Sequence, residues 1–305
     1  MKFSIVTPVY NGEKYLADTI KSVLSQEGDF EIEYIIQDGG SQDKTLEIAK
    51  SYAEQINSGK FPIRCKKITV KYFSEKDKGM YDAINKGFAR TTGEVCAYIN
   101  ADDIYLPNAF MVVAETFRKF PQIMWVTGAT LYDYEDNRTA QKIPMCYIYN
   151  QEWIARGVYG RNAYFIHQDS VFWKKQLAVE AGSIPSYLRY AGDYYLWTKF
   201  ARITELWSIN FPISRFRIRA GQLSADMTPY RKEQKMISGE KIPSSFLIKI
   251  FFSLRNIFQQ KWLLIFFKII YRSIFFKRNK QYIGIKNLDP EMRTAEYYEL
   301  PIENL

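Results

Sequence analysis

A chain of 305 residues, 47% hydrophobic and 16% aromatic, can bury a sizeable core; disorder is set aside, and one large domain with an appendage or two small ones are expected. Three scattered cysteines, Cys65, Cys96 and Cys146, lack C-x-x-C spacing, which points to a reducing compartment and away from a disulfide scaffold or zinc site. The net charge of +9 is local, because ten Lys and Arg and no Asp or Glu between 241 and 286 leave the remainder near −1. The opening MKFSIVTPVYNG turns polar too soon for a signal peptide. No uncharged apolar run approaches the roughly 20 residues that span a bilayer.

Lys2–Thr7 reads as a strand and Pro8–Gly12 as a loop, after which Leu16, Ile20, Val23 and Leu24 share one face of a helix over Glu13–Gln26. Glu33–Gln37 predicts a second strand, closed by Asp38-Gly39-Gly40-Ser41. Ser41 or Asp43 can cap the next helix, which carries Leu46, Ile48, Ala49 and Tyr52. A third strand, Lys67–Phe73, leads through the polar Ser74–Gly79 to a helix over Met80–Ala89. Val95–Ile99 is a short apolar run of the kind buried in parallel sheets, and it ends abruptly at Asn100, Asp102 and Asp103. A helix over Asn108–Phe120 and a strand over Trp125–Leu131 follow. This alternation predicts an α/β fold, a doubly wound, mainly parallel sheet flanked by helices.

Three strand ends carry polar loops, Pro8–Asn11, Asp38–Ser41 and Asn100–Asp103, where ligands bind in open α/β sheets. Adjacent carboxylates repel, so Asp102 and Asp103 form either a solvated turn or a place for a hard divalent cation carried on phosphates. Neither G-x-G-x-x-G nor a P-loop is present, so a nucleotide would need a third type of site. His167 is the sole histidine, which excludes His-based triads and multi-histidine metal sites within one chain.

Ser244–Phe276 is rich in Phe, Ile, Leu and Trp. Lys249, Ser253, Asn256 and Gln260 form one polar helical stripe, and Lys261, Lys268 and Arg272 a second. Such stripes suit helices lying in an anionic membrane interface, or a hairpin packed on protein. Nucleic acid is not expected, since no exposed stacking platform or binding motif accompanies the charge.

Six pieces in order resemble family 2 glycosyltransferases, inverting enzymes with a GT-A fold: IVTPVYNG, QDGGSQDKT, SEKDKGMYDAINKGFARTTGE, NADD, HQDSVFW and AGDYYLW. The resemblance covers roughly residues 2–225. It implies a nucleotide-sugar site of Pro8, Val9, Tyr10, Asp38, Lys78, Asp82, Asn85, Asn100 and Asp102. Tyr10 would stack on the base, and Asp38 would accept the uracil imide hydrogen, although Gln37 stands where the family more often has an acid. Asp103, with Asp102, would bind Mg²⁺ or Mn²⁺ on the diphosphate. Asp193 would be the general base, its pKa raised by Tyr194, Tyr195 and Trp197; the alternative is a helix cap alone. His167, Gln168 and Arg219 would line the acceptor or phosphate side, with Arg217 and Gln222–Ser224 in a closing loop; for His167 a structural role stays open.

The expected organisation is a GT-A domain over 1–230, with a nucleotide-sugar half (1–131) and an acceptor half (132–230). A basic amphipathic helical segment over 231–286 forms the C-terminal appendage, and 287–305 is a tail. The implied function is inverting transfer from a UDP-sugar to a hydroxyl of a lipid-linked saccharide in surface polysaccharide or glycan assembly, in the cytoplasm at the inner face of the cell membrane. The alternatives are a polyprenyl-phosphate glycosyltransferase and a non-catalytic sugar-nucleotide-binding scaffold.

Overall fold

The computed structural model describes residues 1–134, 145–161, 164–239, 281–294 and 299–301. Strands β1 (Lys2–Val9), β2 (Gly28–Asp38), β3 (Cys65–Ser74) and β4 (Val95–Tyr98) alternate with helices α1 (Leu16–Leu24), α2 (Thr45–Asn57) and α3 (Met80–Ala89). A short β5 (Ile104–Tyr105), α4 (Ala109–Lys119) and β6 (Trp125–Tyr134) complete this half. Then come β7 (Met145–Tyr147), α5 (Gln151–Ala155), β8 (Val171–Lys174), α6 (Lys175–Ala181), α7 (Gly192–Ile203), β9 (Trp207–Ile218) and α8 (Thr228–Ser238). Strands β10 (Gln281–Lys286), β11 (Asp289–Thr294) and β12 (Glu299–Pro301) close the described chain.

The main sheet runs β11-β10-β9-β6-β8-β4-β1-β2-β3, with β5 paired to β9. It is mixed but mostly parallel. The antiparallel β8 separates β4 from β6, which the alternation before residue 131 gave no means of seeing. β1 reaches Val9, two residues beyond the expected strand, because its pairing with β2 continues through Pro8 to Val9. Pro8 fits there since pairing with β4 stops at Val6, leaving no ladder bond for its missing N–H. Asp43, not Ser41, receives the Thr45 amide at the start of α2, at 3.0 Å.

Aromatic side chains fill the core. Phe3 stacks on Phe110 at 4.9 Å, and Phe172 meets Phe110 edge-on at 5.5 Å. A second cluster joins Trp125 to Trp197 at 5.8 Å and Trp173 to Phe200 at 5.6 Å. α7 is thereby pinned to the sheet through its apolar face.

Residues 281–294 return to the sheet: β10 pairs in parallel with β9 at Ile283–Ile209, and β11 adds an antiparallel edge. β12 pairs with β7. The stripes over 249–272 lie outside the described residues. Among the described residues, no helix is long and apolar enough to cross a membrane.

Candidate active site

The loops after β1 and β2 are stitched together. Gly39 donates its amide to the Val9 carbonyl at 2.9 Å, and the Asn11 amide donates to Ser41 Oγ at 2.7 Å. Asn11 takes a left-handed φ of 49°, which asparagine tolerates. Gly12 is required for room, since a Cβ there would lie 2.5 Å from Val9 Cγ2. Pro8 and Val9 are buried, while Tyr10 stands 63% exposed at the strand end. Asp38 is buried and anchors its turn, accepting from the Ser41 amide at 3.1 Å, the Gly40 amide at 3.3 Å and the Ser74 hydroxyl at 2.6 Å. Gln37 is tied inward, donating to Glu75 at 3.2 Å and accepting from Arg90 at 3.1 Å.

Beyond β4 the chain turns through Asn100–Asp103 into β5, whose pairing with β9 (Ile104–Arg215) brings the end of β9 back over the acidic pair. Asp103 is buried and accepts the Arg217 amide at 3.0 Å, while its backbone carbonyl accepts Thr19 Oγ1 at 2.7 Å. Burial, then the charges of Asp169 and Asp102, push the Asp103 carboxyl well above the usual carboxylate range. Asn100 and Gln168 each approach Asp103 Oδ2 at a long 3.4 Å. Asp102 is partly exposed and accepts Arg219 Nε at 2.7 Å.

Asp169 is fully buried, bonded through Oδ2 to the Ser214 hydroxyl at 2.5 Å, and its Oδ1 has no hydrogen-bond partner. Crowded carboxylates with an unpartnered oxygen are hard donors short of positive charge, which fits a Mg²⁺- or Mn²⁺-sized cation. Among the described residues no three acidic, His or Cys side chains converge to cage a metal. An ion here would be held by Asp103 and Asp102 and completed by substrate phosphates and water.

His167 is hydrogen-bonded through Nε2 to Tyr132 OH at 2.8 Å, with Nδ1 4.0 Å from Asp169. Burial holds the imidazole below its ordinary pKa against the pull of Asp169. On α3, Asp82 accepts the Lys78 amide at 3.0 Å and pairs with Lys86 at 3.3 Å. Asn85 instead clamps Ile184, donating to its carbonyl at 2.7 Å and accepting its amide at 3.2 Å. The Lys78 side chain is exposed.

Asp193 opens α7. Its carboxylate accepts Tyr81 OH at 3.2 Å and Tyr230 OH at 3.1 and 3.2 Å. Gly192 lets the Tyr81 ring approach, since a Cβ there would fall 2.6 Å from ring carbons. Burial outweighs the bonds from the Tyr194 amide and the two phenols, leaving the Asp193 pKa raised to about 6. Tyr194, at the adjacent helix position, points away to the Gly157 carbonyl at 2.6 Å, and Trp197, one turn on, stacks on Trp125. Burial pushes the Tyr98 phenol up, and the neighbouring Tyr81, Asp193, Tyr230 and Asp169 add to it in that order.

Four residues of this site went unassigned in the sequence. Asp169 lies inside HQDSVFW and Tyr81 inside the stretch before β4, so their motifs mark them. Tyr230, and Glu233, which accepts the Arg189, Tyr190 and Ala191 amides just before α7, sit on α8 in a polar run that carries no motif.

The fold is an open, mostly parallel α/β sheet with acidic side chains gathered at its strand ends. The sequence matches glycosyl transferase family 2 over residues 4–191, and the chain belongs to that family. An uncharacterized glycosyltransferase of Rickettsia typhi is 27% identical over 221 residues, covering 72% of this chain but only 64% of that protein's length. The amylovoran biosynthesis glycosyltransferase AmsE of Erwinia amylovora is 25% identical over 78% of this chain and 82% of its own. Among solved structures, S. aureus TarS 1-349 in complex with UDP-GlcNAc superposes with a TM-score of 0.56 at 15% identity, covering 86% of this chain and 74% of that one. The mannosyltransferase PcManGT from Pyrobaculum calidifontis in complex with GDP-Man and Mn²⁺ gives 0.54 at 15%, covering 89% and 75%.

Proposed function

We propose that the chain transfers a sugar from a UDP-sugar to a hydroxyl of a lipid-linked saccharide, with inversion, in polysaccharide assembly at the inner face of the cell membrane. The observation that carries this reading is Asp193, a carboxylate held by two phenols with a pKa of about 6, as a base working at neutral pH requires. The kinship with AmsE supports the polysaccharide context, and TarS with UDP-GlcNAc supports a UDP-sugar donor.

Tyr10 offers an exposed ring on which the base stacks. Reading uracil through Asp38 requires the Ser74 or Ser41 hydroxyl to yield one oxygen. A divalent cation held by Asp103 and Asp102 would neutralise charge on the departing diphosphate. Asp193 takes the proton of the aligned acceptor hydroxyl, whose oxygen attacks the anomeric carbon opposite the leaving UDP. No covalent intermediate on the protein is needed.

Two measurements test the reading. A panel of UDP- and GDP-sugars with Mn²⁺ should raise the melting temperature most for one UDP-sugar. UDP release from that donor with a lipid-linked saccharide should stop in Asp193→Asn. Undiminished release would favour an already anionic polyprenyl-phosphate acceptor, and no release by the wild type a binding scaffold.

A further inference from the structure

The start of α7 presents an unsolved backbone problem. The first N–H groups of a helix lack intrahelical partners, and Ala191 at the cap position makes no side-chain capping bond. α8 answers this at the cap residue Ala191 and holds the two loop residues, Arg189 and Tyr190, that lead into it. Glu233 accepts the amides of Arg189 at 2.8 Å, Tyr190 at 2.9 Å and Ala191 at 2.8 Å, so one carboxylate satisfies three consecutive donors. A charged acceptor on converging amides forms bonds stronger than neutral pairs.

The same helix face delivers Tyr230, three residues earlier, to both Asp193 oxygens at 3.1 and 3.2 Å. From α3, Tyr81 divides its hydroxyl between the Tyr190 carbonyl at 3.0 Å and Asp193 at 3.2 Å. Asp193 is therefore held twice from α8: its carboxylate by Tyr230, and the backbone leading into it by Glu233.

We infer that Glu233 is a positioning residue for Asp193, fixing the backbone of Arg189–Ala191 so that the carboxylate at the start of α7 faces the acceptor. Glu233 acts through the main chain, its carboxylate bonded to the three amides that lead into α7. The inference rests on reading Asp193 as the base.

The test uses the full chain with Glu233→Gln, Glu233→Asp and Asp193→Asn. Hydrogen exchange is followed by mass spectrometry over 185–196, and turnover as UDP release from whichever UDP-sugar most stabilises the protein. Glu233→Gln should speed exchange at 189–191 and lower kcat, each by about tenfold, while donor KM stays within about twofold. Glu233→Asp, which keeps the charge, should recover part of both. If Glu233→Gln does not fold, Glu233→Asp and Tyr230→Phe carry the kinetic comparison, and wild-type kcat in both overturns the inference. Unchanged exchange at 189–191 in a folded Glu233→Gln overturns it, as does a kcat loss matched by an equal donor-side loss. Full turnover by Asp193→Asn would instead remove the base, and the exchange result would still report on the clamp.

Discussion

Arg219 donates through Nε to Asp102 Oδ2 at 2.7 Å, and its guanidinium lies 5.2 Å from the Tyr15 ring centre, which Arg217 also faces at 4.7 Å. The guanidinium supplies positive charge to the carboxylate that a metal would also use. A cation held by Asp102 would compete with it for this carboxylate and leave Arg219 available to the diphosphate. Arg219→Ala should therefore tighten Mn²⁺ binding without nucleotide about threefold and weaken UDP binding with Mn²⁺ about tenfold. Mn²⁺ titration by electron paramagnetic resonance and calorimetry with UDP check both. Weaker Mn²⁺ binding in the variant would dispose of the competition.

Asp193 should impose an acid limb on turnover. The proposed base works deprotonated, so kcat should fall as pH drops through about 6 and level off above it. The same pKa has a stability consequence of opposite use. The folded state holds this proton more tightly than the unfolded chain, whose value is 3.8, so the penalty for a charged Asp193 is absent below about 4 and complete above about 6. At about 1.4 kcal/mol per unit it amounts to about 3 kcal/mol at most. Asp193→Asn should thus lose activity yet be more stable than the wild type at pH 8, with no gain at pH 4. Urea unfolding at the two pH values measures this.

The first half of the fold was legible because each strand and helix through Trp125, the two-residue β5 aside, carries its own period and its own turn residues. Strand β8 was not. Its four residues, Val171–Lys174, find partners in β4 and β6, both distant in sequence, and no local pattern encodes an antiparallel insertion. Return of 281–294 to the sheet is likewise a long-range pairing. In the site, Asp102, Asp103 and Asp193 stood out through motif context. Asn100, Gln168 and Arg219 around them were also marked, but the contact Arg217 makes was not: it meets Asp103 through a backbone amide, which any residue type supplies. Asn85 shares a helix face with Asp82 by spacing, yet its amide is spent on Ile184.

Glu33 offers a stability test away from the chemistry. It is 1% exposed between β1 and β3, and burial works against its charge. The Ser4 hydroxyl at 2.6 Å, the Thr92 amide at 2.7 Å and Lys71 at 2.9 Å outweigh that and hold its pKa down at about 2. A carboxylate with a depressed pKa stabilises the fold above its unfolded value of 4.5, and the contribution disappears as pH falls through about 2. Glu33→Gln should cost about 3 kcal/mol at pH 7 and much less near pH 2. Denaturant midpoints across that range would show it, and an equal loss at both ends would contradict the network.

Membrane attachment is the last expectation, and the sheet changes how it must be tested. Tyr282 and Ile283 are buried in β10, so deleting the basic stretch into the 280s would strip a strand from the core. Charge neutralisation avoids this: Lys249, Lys261, Lys268 and Arg272 become Gln together. Each cation near an anionic surface is worth about 1 kcal/mol, so four replacements should weaken binding to phosphatidylglycerol-containing vesicles about a hundredfold or more. Sedimentation of wild type and variant at low and high salt provides the measurement. Salt should release the wild type, because screening shortens the reach of its charges, and should act less steeply on the variant, which keeps six of the ten cations between 241 and 286. Equal binding by both proteins at low salt would place the basic stripes against protein instead of lipid.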